Sequence, residues 1–189
     1  MRILACADLH GRPDRIARVR ALVSEHAPAV LLLPGDLTHG GRGEEALGLL
    51  EVLPVPVLAV PGNMDGPRAV AEIAGRGALA GGAPVEIAGV TFGGPHATSR
   101  CDVLVTHEPP AGTLDVAYSG QHIGTRAVLD LVVRLRPRVL TCGHVHEAAG
   151  IERLGETLVV NCTMGDGKTA GALIELGPED VSARLLTDA

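Results

Sequence analysis

Aromatic side chains are almost missing from this chain: Phe92 and Tyr118 are the whole inventory, and there is no tryptophan. Stacking of single-stranded nucleic acid needs several exposed aromatic faces, so that class of binder is excluded. Positive charge is also short, with 16 Lys plus Arg against 22 Asp plus Glu and a net charge of −6. An acidic balance without a basic stripe argues against long nucleic acid and against an anionic membrane surface as partners. No apolar run approaches the ~18 residues of a membrane span, the purest being residues 29–33. The apolar start of the chain is too short for a signal peptide and is interrupted by Asp8. The four cysteines, Cys6, Cys101, Cys142 and Cys162, show no CxxC spacing and fall in or beside expected buried strands. A disulfide framework is therefore not expected, and a reducing, cytoplasmic setting is.

What the chain has is enough apolar residue for one core. At 189 residues and 46% hydrophobic content, a single domain over residues 1–189 is expected. Apolar runs alternate with helical patterns. Strands are expected at 3–7, 30–33 and 55–60, with helices at 13–26, 44–53 and 67–74. Pro13 suits a first helical turn, and Ile16, Val19, Leu22 and Val23 form one stripe behind it. From Gly75 the pattern turns to strands: a hairpin of 85–87 and 90–92, then 103–105 and 139–142, with one helix at 126–135 between them. The tail, through 151–153, 157–160, 172–176 and 181–186, reads as short antiparallel strands. The fold class that follows is α/β, with two mixed β-sheets packed as a sandwich and helices flanking them.

Five of the expected strands stop abruptly and hand over to metal-binding side chains. The first leads into Asp8 and His10, the second into Asp36, the third into Asn63, the 103–105 strand into His107, and the 139–142 strand into His144 and His146. Functional groups in an open α/β sheet gather beyond the carboxyl ends of the strands, so these seven would share one rim. The donors are oxygen and imidazole only, which suits Mn²⁺, Fe, Zn²⁺ or Ni²⁺. Seven ligands exceed one four-coordinate ion and suit two divalent ions sharing a carboxylate, with Asp36 the central candidate. Each residue alone has an ordinary reading: a capping or surface histidine, or an Asp or Asn in a glycine turn. Five coincidences at strand ends outweigh those readings.

The order Asp8-x-His10, Gly35-Asp36, Gly62-Asn63-x-Asp65, Thr106-His107, Gly143-His144-x-His146 resembles the calcineurin-like metallophosphoesterase superfamily. The likeness in organisation covers nearly the whole chain, and Thr106-His107-Glu108-Pro109-Pro110 and Cys142-Gly143-His144-Val145-His146-Glu147 look most like it. It implies one ion on Asp8, His10, Asp36 and His146, and another on Asp36, Asn63, His107 and His144. It also implies catalysis in which Asp36, Asn63 and His107 act through two divalent ions, Mn²⁺ first, and a metal-held hydroxide attacks phosphorus.

One departure matters. Larger members carry Gly-Asn-His, where the imidazole helps the leaving oxygen; here Met64 stands there, and a thioether donates no proton. That favours a small phosphodiester substrate, a nucleotide being one option, over a monoester. His39 and His122 are candidates for the missing acid; His39 reads better as an exposed loop residue, and His122 as an even choice between that and a substrate contact. Asn161 reads as a supporting or turn residue and Asp65 as a helix cap or a group orienting a ligand. Arg12, Arg15, Arg18 and Arg20 spread around the first helix and read as solvated surface. A phosphomonoesterase, a nuclease and a non-catalytic scaffold of the same fold are the competing functions.

Overall fold

The computed structural model describes residues 1–76, 79 and 81–187. Strands β1 (Arg2–Ala5), β2 (Val30–Pro34) and β3 (Val57–Val60) run parallel, joined through α1 (Pro13–His26) and a segment ending in α2 (Leu49–Val52). After α3 (Pro67–Arg76), a hairpin of β4 (Val85–Ile87) and β5 (Val90–Gly93) begins a second sheet. It continues through β6 (Val103–Val105), α4 (Arg126–Leu135), β7 (Val139–Cys142), β8 (Gly150–Leu154) and β9 (Thr157–Asn161). The chain then returns to the first sheet with β10 (Thr169–Leu176) and β11 (Val181–Thr187). The orders are β11-β10-β1-β2-β3 and β4-β5-β6-β7-β9-β8, and both sheets mix parallel and antiparallel pairs.

The period of two along a strand decides which residue serves which layer. Ile3, Ala5, Val30 and Leu32 point between the sheets and meet Phe92, Val103, Val105, Val139 and Val160 from the other side. Their neighbours Leu4, Leu31 and Leu33 face outward onto Ile16, Val19, Leu22 and Val23 of α1. Leu104, Leu140 and Val159 face α4 through Val128, Val132 and Leu135. Both faces of the central strands are covered, which is why they read as unbroken apolar runs and not as alternations.

The helices at 13–26 and 126–135 have the expected boundaries. Thr125 caps the second, its hydroxyl accepting from the Val128 N–H. The expected helix at 44–53 is instead a 3₁₀ turn, Glu44–Gly48, followed by the single turn of α2. The third strand starts at Val57 and not at 55, after Pro56. The tail is antiparallel only in part, because β9 pairs parallel with β7. All four cysteines are unpaired and buried, and burial pushes the Cys6 thiol up to about 12 and the Cys101 thiol up to about 11. Among the described residues, no helix is long and apolar enough to cross a membrane.

Candidate metal centre

The carboxyl ends of β1, β2 and β3 in one sheet and of β6 and β7 in the other are laced together by main-chain bonds. Asp8 N–H donates to the Gly35 carbonyl (3.1 Å), His10 N–H to Asp36 (2.8 Å), and Gly143 N–H to His107 (2.9 Å). The first two hold the Asp8–His10 loop against the Asp36 loop, the third holds the His107 loop against that of His144, and Gly40 N–H, donating to the Met64 carbonyl (2.8 Å), brings in the Asn63 loop. The backbone is strained there. Of the eight non-glycine residues with positive φ among those described, four are candidate ligands: Asp8 (62°), His10 (50°), Asp36 (53°) and His144 (69°). L-residues adopt that conformation at a cost, and its concentration at one rim is the mark of a functional site.

Side chains from both sheets converge there. Asp8, Asp36 and His107 are buried, and their ligand atoms lie within 4.8 Å of one another; so do those of Asp8, His10 and His146. Asp8 thus stands in both groups. Asp36 reaches both histidine sets through one oxygen, Oδ2, 3.5 Å from His107 Nε2 and 4.0 Å from His10 Nδ1. Asn63 Oδ1 lies 2.9 Å from both His107 Nε2 and His144 Nδ1. The rings of His10 and His146 bring their Nε2 atoms to 3.2 Å.

Divalent cations fit this arrangement. His10 Nδ1 is buried without a hydrogen-bond partner, and the ring nitrogens of four histidines are gathered around two carboxylates and an amide oxygen. The Pro34 carbonyl can only accept, so His107 Nδ1 donates to it (2.9 Å), and Nε2 is the atom that faces the site and would take a cation once its own proton is lost. Glycine is required where backbone meets ligand: a Cβ on Gly62 would sit 2.2 Å from Asp36 Oδ1, and one on Gly143 2.5 Å from Asp8 Oδ2.

Charge is distributed unevenly over the histidines. Burial works against a charged His107, but its hydrogen bond to Asp36 and the charges of Asp8 and Asp36 outweigh burial and raise it to about 9. The interaction with Asp8 raises His146. Burial lowers His10, and burial with the neighbouring His107 charge lowers His144. Burial acts to raise the Asp8 carboxyl, yet His146, His107 and Thr163 together hold it below the ordinary range.

Above the ligands opens a cleft of about 470 Å³. It is lined by His10, Asp36, Asn63, His144 and His146, and also by Arg12, Arg15, His39 and Met64. His39 is the exposed loop residue expected, and it also lines the cleft: its ring meets that of His10 edge-on, with centroids 5.4 Å apart. Arg15, in contrast, is not solvated surface, since its guanidinium donates to the carbonyls of Asp8 (2.6 Å) and Gly165 (3.4 Å). The sequence signal for it was only its distance of seven residues from Asp8, which a helix starting at Pro13 turns back towards the rim. His122 does not line the cleft; its Nδ1 pairs with the buried Asp115 (2.8 Å) and its side chain is 66% exposed. Asn161 supports the site from behind, its amide donating to the carbonyl of Val145, between two ligand histidines. Asp65 caps no helix. It accepts from the N–H groups of Leu37, Thr38 and Gly62 and ties the Asp36 loop to the Asn63 loop.

An uncharacterized protein of Methanocaldococcus jannaschii is 26% identical over 195 residues, covering 85% of this chain and 87% of that protein. The human metallophosphoesterase domain-containing protein 1 is 40% identical over 65 residues, which is 33% of this chain and 20% of the human one. Among solved structures, one described as a novel archaeal phosphodiesterase shares the fold with a TM-score of 0.64 at 18% identity, over 98% of this chain and 100% of that one. Residues 1–148 match the model of the calcineurin-like phosphoesterases, with the strand-end ligands Asp8 to His146 all inside the match, and the chain belongs to that family.

Proposed function

We propose that this chain is a phosphodiesterase that works with two divalent ions, Mn²⁺ foremost, on a small phosphodiester. The observation that carries the two-ion reading is the placement of Asp36 Oδ2 between His107 and His10, with Asn63, His144 and His146 completing the two sides. When bound, such ions supply Lewis acidity and an activated nucleophile. The protein's own part is to hold the ligands under the cleft, to keep the Asp8 carboxylate ionised, and to present His107 through Nε2.

The diester preference rests on Met64. It lines the cleft where a proton donor would assist a poor leaving oxygen, and its thioether has none to give. The structural neighbour described as an archaeal phosphodiesterase agrees with this reading. One core shared by both sheets supports treating residues 1–189 as one domain.

The test is hydrolysis of bis(p-nitrophenyl) phosphate and p-nitrophenyl phosphate by metal-stripped protein titrated with Mn²⁺. Activity that returns with metal, is stronger on the diester and is lost in Asp36→Ala supports the proposal. Preference for the monoester overturns the substrate reading. Two ions bound with no hydrolysis of either ester favours the scaffold reading, for which the methionine at position 64 is the one motivating residue.

A further inference from the structure

The two arginines of the cleft have no task in holding cations. Arg12 and Arg15 line the same opening as His10, His39, His144 and His146, while Asp36 is the one carboxylate lining it among the described residues. Arg15 is half-buried and is held at the rim by the Asp8 and Gly165 carbonyls. Among the described residues Arg12 is paired with Asp14, an exposed neighbour 3.1–3.2 Å away that also competes for its donors. In a chain of net charge −6, two guanidiniums at the mouth of a cleft rich in imidazole give that cleft the character of an anion site.

Counting charge extends this, on the proposed two-ion reading. Two divalent ions bring four positive charges against the two carboxylates, Asp8 and Asp36, leaving a surplus before either arginine is added. The two arginines raise that surplus from two to four, Asp14 offsets one, and a simple phosphodiester's single charge offsets one more, leaving two unmatched. We propose that Arg12 and Arg15 form a subsite for a second phosphate of the substrate, so that the substrate class is a phosphoester or phosphoanhydride carrying two phosphates. Guanidinium is the side chain suited to this, because its planar fork meets phosphate oxygens in pairs. Arg15 spends donors on the carbonyls of Asp8 and Gly165, which hold it rigidly beside the metal ligands. Arg12 is the movable partner, released from Asp14 when phosphate arrives.

The experiment measures calorimetric binding of AMP and ADP to Mn²⁺-loaded protein, with Mn²⁺ in excess so that neither nucleotide strips the site. The expected result is ADP tighter than AMP by about tenfold or more, as charge-assisted hydrogen bonds to one added phosphate provide. Arg12→Gln should shrink that ratio to about threefold or less, and Asp14→Asn should widen it by freeing Arg12. Using the ratio cancels any loss common to both ligands. Equal affinities in the parent protein, failure to bind either nucleotide, or a ratio untouched by Arg12→Gln overturns the subsite. An ADP preference without hydrolysis of any ester leaves the subsite standing and overturns the phosphodiesterase reading. Diester hydrolysis without the ADP preference does the reverse.

Discussion

The main-chain N–H of Met64 donates a 2.7 Å hydrogen bond to Oδ1 of Asp36. That bond turns the other oxygen, Oδ2, towards His107 and His10. The residue whose side chain lacks an acid is thus the one whose backbone aims the shared carboxylate. Because the bond is made by the backbone, the side chain at 64 can change without disturbing the ligand.

Met64→His follows directly. The imidazole would enter the half-buried position lining the cleft and supply the missing proton donor. We expect hydrolysis of monoesters with poor leaving groups, such as phenyl phosphate, to rise by roughly 10²-fold, at the low end of what general-acid help provides. The diester with its good leaving group should gain far less, and the melting temperature should hardly move. Equal gains on both substrates would count against a proton-donor role for this position.

Asp36→Asn separates ligation from folding. The amide oxygen still accepts from the Met64 N–H, so the loop remains in place. The bridging charge between His10 and His107 is gone. Since even an outer partner of a metal ligand contributes about 10–100-fold in affinity, a shared ligand should contribute at least that. Metal content by mass spectrometry should fall below two ions per chain while circular dichroism stays unchanged.

Cation loading should release protons. His107, raised to about 9, carries a proton near neutral pH, and a cation binds only the neutral ring. In cation-free protein the charged ring contributes stability that is complete below its ordinary value of 6.5 and lost as pH rises through about 9. Metal affinity runs the other way, climbing through the same window by up to about tenfold per pH unit. Calorimetry in two buffers of different ionisation enthalpy should show close to one proton leaving His107 per fully loaded chain at pH 7.5. No buffer dependence would show that His107 is already neutral.

Much of this was legible in the sequence because the central strands are buried on both faces. Ile3 to Ala5, Val30 to Leu33 and Val103 to Val105 had no polar position to blur their limits, so the residues just beyond them could be read as a rim. Pro13 marked the start of α1 chemically. What stayed hidden depends on approach between distant segments. His39 and Arg15 join the cleft only when the His39 hairpin and the first turn of α1 are brought over the rim, Gly40 N–H bonding the Met64 carbonyl at 2.8 Å. His122, an even choice from the sequence, stands as the exposed loop residue of the two readings and pairs with Asp115 through a contact that no local pattern announces.

Asp65 carries the last prediction, since its carboxylate is the fastening between two ligand loops. It is 8% exposed and accepts from Thr38 N–H (2.8 Å), Thr38 Oγ1 (2.9 Å), Gly62 N–H (2.9 Å) and, more weakly, Leu37 N–H (3.4 Å). Asp65→Ala would strand these donors together, most of them buried. Leaving such groups unsatisfied should destabilise the fold by about 3 kcal/mol in urea unfolding. Thr38→Val removes a single partner from the same carboxylate and should be much milder, about 1 kcal/mol. The damage should also appear in the site, because Asp36 and Asn63 sit at the two loops that Asp65 joins, and Mn²⁺ affinity should weaken by roughly 10–100-fold. A loss of stability with metal affinity intact would mean that the loops keep their spacing through the sheets alone, and that the Asp65 bonds serve the fold without positioning the ligands.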